Sequence, residues 1–380
     1  MLSERVEFDP LREPEILTAV PDSPAVFLLR GHDPGSDPYI SKTANLRRRL
    51  QRLLAPATPL TRRLNLRDRV REIEYTSTGS DFESGFLLYR LLRVTFPKTY
   101  SGRLRFRFAP LIKLHLDNEY PRASVTTRLG GAGGKGVYYG PFLSRGAAEK
   151  FASDSLDLFK VRRCVNDLHP DPQFPGCIYS EMKMCLAPCF KGCSDEDYRS
   201  EVARVQSYFD SNGHSLLREL SSQRDHASSA MDFEAAGALH SRLEKVEHVV
   251  NQIPEIVHRI DRLAGVIVQA SSSPHSVTFF SVNAGVVSGP LIFSIQAPDH
   301  MKSHSMEARV LDALGTVPAP AGKSALEAME HVAILKRWYY RSSRAGEIFF
   351  CDEKGNLPMR RLVRGISHVY HGEKEVEHAN

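Results

Sequence analysis

A tight group of cysteines constrains this 380-residue chain more than any other feature. Cys164, Cys177, Cys185 and Cys189 fall within 26 residues, separated by 12, 7 and 3 residues. Clustering of this kind indicates a metal site in a cytosolic protein or disulfides in a small secreted one. The chain is too long for a disulfide-dependent mini-domain, and its charged start, MLSERVEFDPL, lacks the apolar core of a secretion signal. We therefore predict a metal site.

The spacing alone leaves the kind of metal open. Zinc sites favour ligand pairs separated by two to four residues, and of the four cysteines only Cys185 and Cys189 form such a pair. Four thiolates at uneven spacing also suit an iron–sulfur cluster. The alternative without a metal is a set of buried, inert cysteines, because cysteine is among the residues most often found in cores.

Composition places the chain among ordinary globular proteins of two or three domains. Hydrophobic residues make up 42% and charged residues 25% of it. No apolar stretch approaches the ~18 residues that cross a bilayer, so we expect a cytoplasmic protein without membrane contact. The net charge of +5 is modest, and its distribution matters more than its sum.

Arginine is concentrated in two stretches of the chain. Positions 47–71 carry nine arginines and one acid, and positions 103–107 read RLRFR. The guanidinium group matches phosphate oxygens, so these stretches suit a nucleic-acid backbone, with a merely solvated basic face as the alternative. We predict DNA contacts from one set of basic residues: Lys42, Arg47, Arg48, Arg52, Arg62 and Arg63.

Hydrophobic periodicity and turn residues divide the chain into elements. Strands are predicted at 25–30, 38–41, 70–77, 111–116 and 123–127, and helices at 45–54, 81–94 and 146–159. Positions 195–253 are predicted to be helical, with breaks at 212–213 and 231–232 and Asp232 as an N-cap. Further strands are predicted at 264–270, 276–282, 290–295 and 347–351, with a helix at 325–340 and a polar tail at the end.

Four motifs in a fixed order relate the chain to a known family. They are PRASVTTR (121–128), YYGPFLS (138–144), CLAPC (185–189) and FEAAGALHSRLEKV (233–246). On these motifs, and over about positions 21–340, the chain resembles the UvrC family, a component of the bacterial excinuclease of nucleotide excision repair.

The resemblance implies an α/β and α+β multidomain fold. The expected parts are a small GIY-YIG-like α/β domain (15–105), a strand and cysteine-rich metal-cluster region (106–200), a UVR-like helical hairpin (201–255) and a β-rich C-terminal domain (256–380). The last part resembles only the lead-in to the RNase H-like half of the family, including the ILKRWYY helix (334–340). We expect the second nuclease of the family to be missing.

The resemblance also implies a cofactor and a partner. An iron–sulfur cluster, of the [4Fe–4S] type, is expected on Cys164, Cys177, Cys185 and Cys189, with zinc as the alternative. Cys193 and Cys351 fall outside this pattern. The hairpin is expected to dock on a UvrB-like helicase subunit through five residues: Phe233, Glu234, Ala236, Leu239 and Leu243.

The nuclease pattern of the family is only partly present. A GIY-YIG enzyme hydrolyses a phosphodiester with one divalent metal, an activating tyrosine, a phosphate-holding arginine and one metal-binding glutamate. Aligned with that pattern, this chain has Phe27 at the first tyrosine, Tyr39 at the second and Ser41 at the following glycine. Arg49 keeps the arginine, whereas Leu88 stands at the glutamate.

These replacements predict a DNA-binding protein whose nuclease is weakened or lost. Phe27 can neither donate nor accept a proton, and Leu88 cannot bind a hard cation. Mg²⁺ is expected only if the nuclease is active. A competing hypothesis is an active endonuclease with an unorthodox metal ligand, Glu83 or Glu74. A third is a structural metalloprotein that binds neither DNA nor UvrB.

Overall fold

The computed structural model describes residues 2–33, 35–56, 64–130, 134, 136–296, 304–316 and 324–372. Within these ranges the chain forms twelve strands and twelve α-helices, and the strands make three antiparallel sheets. The strands are β1 (Glu4–Glu7), β2 (Ala25–Gly31), β3 (Tyr39–Thr43), β4 (Val70–Ser77), β5 (Leu111–Leu114), β6 (Ala123–Thr126), β7 (Val137–Gly140), β8 (His258–Arg259), β9 (Ala264–Ala270), β10 (Ser276–Asn283), β11 (Val286–Ser294) and β12 (Glu347–Phe350). The helices are α1 (Glu13–Ala19), α2 (Leu46–Leu54), α3 (Asp81–Thr95), α4 (Tyr100–Leu104), α5 (Arg145–Leu156), α6 (Ile178–Glu181), α7 (Asp195–Asp210), α8 (His214–Ser229), α9 (Phe233–Val250), α10 (Met306–Gly315), α11 (Ala325–Tyr339) and α12 (Met359–His371).

The N-terminal sheet has the strand order β1–β4–β2–β3. The alternation of strand residues and the spacing of Leu46, Leu50 and Leu53 place apolar side chains from β2, β4, α1 and α2 in one buried cluster. Asn45 caps α2, because its side chain accepts a hydrogen bond from the Arg48 amide at 2.8 Å. The predicted strands and helices of this region are confirmed within two residues.

The middle sheet has the order β6–β5–β7–β8, so the short strand β8, which follows the helical segment, returns to pair with β7. Helices α5 and α7 cover it and share its core. The breaks predicted between α7, α8 and α9 are confirmed, and Asp232 caps α9 by accepting from the Ala235 amide at 3.0 Å.

The C-terminal sheet has the order β11–β10–β9–β12 and helices on both faces. Val266 and Val268 pack in one cluster with Leu362 of α12, whereas Ile267 belongs to the cluster that contains α11. The predicted polar tail is wrong for residues 359–371, which form α12. The charged residues of this segment obscure a helical repeat of apolar residues. Leu362 and Ile366 lie four residues apart and are both buried. Helices α4 and α10 were also not predicted.

Helix α3 joins the N-terminal sheet to the C-terminal one. The Phe82 ring lies 5.0 Å from that of Phe280 and 5.2 Å from that of Trp338, between centroids. Glu330 of α11, 1% exposed, accepts hydrogen bonds from the hydroxyls of Tyr89, at 2.8 Å, and Tyr100. The hydrophobic core is therefore continuous from α3 to the C-terminal sheet, while the domain bounds stay predictions.

In the part of the chain that the structure describes, none of the helices combines the length and the hydropathy that a membrane span needs.

Candidate functional site

Tyr39 and Arg49, the two retained nuclease residues, are in direct contact. The capped start of α2 places Arg49 beside the start of β3, and its guanidinium donates a hydrogen bond to the Tyr39 hydroxyl at 2.8 Å. Both side chains are half-buried. The Nε atom of Arg49 is buried without a partner, so the pair leaves a donor unused. A cation and a phenol in this arrangement can hold one phosphate group.

The first tyrosine position has become part of the core. Phe27 is fully buried and lies opposite Ser41 on β3 and Tyr75 on β4. Its ring centroid is 6.0 Å from that of Tyr39. The Ser41 hydroxyl donates to the Lys42 carbonyl at 3.3 Å. Position 27 therefore orients Tyr39 by packing and contributes no proton-transfer group.

Leu88, at the predicted position of the metal-binding glutamate, lines a cleft of about 500 Å³. The cleft lies between α3, the segment 104–107 and α11, and Leu104, Phe106 and Trp338 also face it. The Leu88 side chain is half-buried. The side chain at position 88, where the family pattern is predicted to place its metal-binding glutamate, is therefore apolar.

The two alternative metal ligands are both engaged elsewhere. Glu83 is buried and its carboxylate accepts a hydrogen bond from the Gly79 amide at 2.8 Å. Burial raises its pKa, which favours the neutral form that binds metals poorly. Glu74 pairs with Arg30 at 2.6 Å, from carboxylate to guanidinium nitrogen. Neither side chain presents a free carboxylate to the Tyr39–Arg49 pair.

The predicted DNA-binding residues fall into three groups. Arg48 and Arg52 are exposed on α2, with no side-chain partner in the described ranges. Arg47 instead donates to the Val20 carbonyl at 3.0 Å, and Lys42 forms an ion pair with Asp81. Two further candidates lie outside the described residues: Arg62 and Arg63.

Asp81 connects three elements, which the sequence did not indicate. Its side chain caps no helix. Instead, its carboxylate forms ion pairs with Lys42 of β3 and with Arg341, which follows α11. Burial tends to raise the pKa of Asp81, but the two cations outweigh this effect, and the net shift is downward. The charge of Asp81 is thus neutralised from both sides, and the ion pairs connect β3 and α3 to the end of α11.

The four predicted metal ligands lie in one irregular segment and are all half-buried free thiols: Cys164, Cys177, Cys185 and Cys189. Cys177 precedes α6, and Cys189 lies in the 3₁₀ turn Pro188–Phe190. The Ala187 amide donates a hydrogen bond to the Cys185 Sγ at 3.3 Å, and Ala187 has a left-handed φ of 56°. Such an amide stabilises a thiolate ligand in the way typical of cluster sites.

The thiols also interact electrostatically. Burial, followed by the nearby charges of the other three cysteines, raises the pKa of Cys185 to about 11. Within the described ranges, no three His, Cys, Asp or Glu side chains converge closely enough to mark a metal position by themselves. Cys164, Cys177 and Cys189 lie near enough to Cys185 to raise its pKa, and within the described part of the chain none of the four forms a disulfide. Four free thiols are the donors that a four-thiolate cofactor would need.

The remaining two cysteines have packing roles. Cys193 packs against the main hydrophobic cluster, and burial, with the charges of Asp197 and Asp195, raises its pKa. Cys351 is half-buried, and burial raises its pKa too.

The hairpin of α8 and α9 has a buried base and an exposed tip. Leu243 and Val246 of α9 are buried, whereas Phe233 is 73% exposed. The other predicted docking residues follow this gradient: Glu234 is exposed, and Ala236 and Leu239 are half-buried. Met231, which was not predicted as a contact residue, is 78% exposed beside Phe233. Met231 and Phe233 therefore leave two large apolar side chains exposed at the tip of the hairpin.

Comparison with known proteins places the middle of the chain in a named family model. Residues 109–208 match the model described as UvrC/Cho excinuclease, middle domain. The UvrABC system protein C of Carboxydothermus hydrogenoformans is 27% identical over 278 residues, covering 72% of this chain and 44% of that protein. The protein of the same name from Gloeobacter violaceus is 28% identical over 310 residues, covering 80% of this chain and 48% of that protein. The Dehalococcoides mccartyi protein is 25% identical over 236 residues, 62% of this chain and 38% of its own length.

The resemblance to UvrC is confirmed by these matches. The chain spans less than half the length of these curated relatives. No solved structure matches it significantly.

Proposed function

We propose that this chain is a UvrC-like factor of nucleotide excision repair that binds DNA and a UvrB-like helicase subunit, with little or no nuclease activity. The observation that carries the proposal is the coexistence of an intact Tyr39–Arg49 pair with an apolar residue, Leu88, at the metal position. Similarity to proteins named UvrABC system protein C supplies the repair context.

The chemistry of the Tyr39–Arg49 pair explains why DNA binding is retained in this proposal while DNA cleavage is lost. Arg49 and Tyr39 hold a phosphate through charge and hydrogen bonds, and neither group needs a metal to do so. Hydrolysis needs more, because a divalent cation stabilises the charge that develops on the attacked phosphate. The engaged positions of Glu83 and Glu74 give the active-endonuclease alternative no support.

The cysteine segment is proposed to hold a [4Fe–4S] cluster on Cys164, Cys177, Cys185 and Cys189. When bound, such a cluster supplies a rigid four-point crosslink and, where its potential allows, a one-electron centre. The residues of this chain deprotonate to provide the ligands, and the Ala187 amide orients and stabilises the Cys185 sulfur.

The hairpin tip is proposed as the contact with the UvrB-like subunit. A pull-down with such a subunit should lose binding when Phe233→Asp places a charge on the tip. Leu311→Asp is the matched control, because Leu311 is 54% exposed on α10, outside the hairpin. Equal loss from both variants would point to a general solubility effect and contradict the assignment.

A plasmid assay tests the nuclease part of the proposal. Anaerobically prepared protein is incubated with supercoiled DNA and Mg²⁺ or Mn²⁺, together with Arg49→Ala and Leu88→Glu variants. We expect no metal-dependent nicking by the unchanged chain and DNA binding that weakens steeply with salt. Nicking by the unchanged chain that disappears in Arg49→Ala would establish an active nuclease with another ligand.

A further inference from the structure

The cleft beside Leu88 carries an unusual set of charges. Its rim includes four cationic side chains, from the segment after α4 and from α11: Arg105, Arg107, Lys336 and Arg337. Its apolar lining includes Leu88, Leu104 and Phe106. Basic groups next to accessible apolar and aromatic surface form the combination that recognises nucleotides, because phosphate and base need different contacts.

The four cations have no counter-charge of their own. In the described part of the chain, none of them forms an ion pair or a side-chain hydrogen bond, whereas the neighbouring Arg93 and Arg103 pair with Glu327 and Asp37. Burial, and then the charge of Arg107, lowers the pKa of Lys336. Of the four cations, Lys336 is half-buried and the three arginines are exposed. Their like charges repel one another across the cleft, so a bound anion would relieve that repulsion.

Among the described residues that line the cleft, Asp81 is the one acid, and it does not reverse the positive charge of the rim. Asp81 lines the cleft, but it is already bound by Lys42 and Arg341. The same three residues line the adjoining cleft between β3 and the segment after α11. A chain-like anion leaving the first cleft would therefore meet a second opening at the Asp81 ion pairs.

We propose that this cleft binds a single strand of DNA, with phosphates on Arg107, Lys336 and Arg337 and an unstacked base against Leu88 and Phe106. The volume of about 500 Å³ lies in the range of pockets that enclose one small molecule, which admits a nucleotide and excludes a duplex. The inference rests on the proposed function and specifies the form of DNA that this site takes.

In this arrangement, Leu88 provides part of the apolar surface that contacts the base. A glutamate at position 88 would place a negative charge beside the bound phosphates, and the unused cations would attract it away from a metal. Leucine instead supplies apolar contact area for a base. The residue that removes the metal ligand thus makes the same surface suitable for an unpaired nucleotide.

Anisotropy of a fluorescein-labelled oligothymidylate, titrated with the full chain in EDTA over a series of salt concentrations, tests the assignment. The Arg107→Ala/Lys336→Ala variant should bind about tenfold more weakly. The slope of log affinity against log salt should fall by about 1.4, because each lost phosphate contact removes ~0.7 for a single strand. The control, Arg218→Ala/Lys245→Ala, removes two exposed charges from α8 and α9 and should bind like the unchanged chain.

A second pair of variants keeps the test valid if the double variant folds poorly. Leu88→Glu and Leu88→Gln have nearly the same shape and differ in charge. In EDTA, we expect Leu88→Glu to bind the oligonucleotide several-fold more weakly than Leu88→Gln, since only the carboxylate repels phosphate. Equal affinities of these two variants would overturn the inference.

The outcomes separate this inference from the proposed function. If the unchanged chain binds DNA and the double variant keeps its affinity and salt slope, the cleft is not the site, while the proposed function stands. An equal loss for a matched duplex would overturn the assignment to a single strand. If the unchanged chain binds no DNA at low salt, the proposed function fails and this inference fails with it.

Discussion

Helix α3 and the cysteine segment 164–189 differ in how far their side chains are free to bind a ligand. Along α3, Phe82, Phe86 and Tyr89 are buried against the C-terminal sheet and α11. In the cysteine segment, four thiols stay half-buried and unpaired, and an amide points at one of them. The first region uses its side chains mainly for packing, whereas the second presents four free thiols.

Under the proposed function, this difference separates a site that is retained, the cysteine segment, from one that is lost, the nuclease site. Uncommitted polar groups in a partly desolvated place are costly, so they persist where a ligand compensates them. On α3 the cost has been removed, because Leu88 replaces a carboxylate and Glu83 is satisfied by a backbone amide. Substitutions in both regions test this contrast, from the largest expected effect to the smallest.

Phe86→Ala should have the largest effect, since α3 acts as a core helix. The Phe86 ring is 2% exposed and contacts Phe280 and His331, so we expect a loss of about 3–5 kcal/mol in the free energy of unfolding. Urea denaturation measures it. Leu88→Ala, at a half-buried site, should cost about 1 kcal/mol. Equal losses would show that α3 is not anchored through its aromatic face.

His331 should make this anchored region sensitive to acid. Burial lowers its pKa from 6.5 to about 4, and its Nδ1 accepts a hydrogen bond from the Val287 amide at 3.0 Å. Between these two pKa values the unfolded chain binds the extra proton, so stability is present above pH 6.5 and is lost as the pH falls. By pH 5 the loss should be about 2 kcal/mol.

The matched variant for this prediction is His331→Asn, which retains an acceptor for the Val287 amide and removes the titrating group. Urea denaturation at pH 7 and pH 5 should show a smaller pH effect in the variant. An identical pH effect in both proteins would assign the acid sensitivity to other groups.

Cys185→Ser tests the other region of the comparison, the cysteine segment. If the four thiols hold a cluster, the iron content of the anaerobically purified variant should be about tenfold or more below that of the unchanged chain. The visible absorption of the cluster should also be lost. Cys351→Ser should keep both, because Cys351 lies outside the set. Unchanged iron in Cys185→Ser would remove this residue from the ligand set.

Tyr39→Phe should have the smallest effect. The substitution removes the acceptor of the Arg49 hydrogen bond in a half-buried place, and we expect a cost of about 1 kcal/mol in unfolding free energy. DNA binding should weaken as well, if the pair holds a phosphate. Arg30→Ala, which breaks the exposed pair with Glu74, should cost less. A larger loss from Arg30→Ala would mean that the Tyr39–Arg49 pair is not a local constraint.

Much of the fold was predictable because it is encoded locally. Strands β2 and β4 and helices α2 and α9 follow periods, caps and turn residues that act over a few positions, and their bounds agree with the prediction within about three residues. Helix α12 was not predicted because charged residues are prominent in its sequence. Its apolar repeat is evident only when the helix is packed against β9. The clustered cysteines could also be recognised from the sequence, whereas the loss of a metal ligand at position 88 stays a prediction that depends on the alignment with the family pattern.

Sequence by itself determined many of the strands and helices, the clustered thiols and the apolar residue at position 88. Only the tertiary structure decided that α3 packs into the C-terminal core, that Asp81 is shared by Lys42 and Arg341, and that Arg107 meets Lys336 at one cleft. These contacts join residues far apart in the chain. Their energies come from burial and charge at short distance, which no local pattern records.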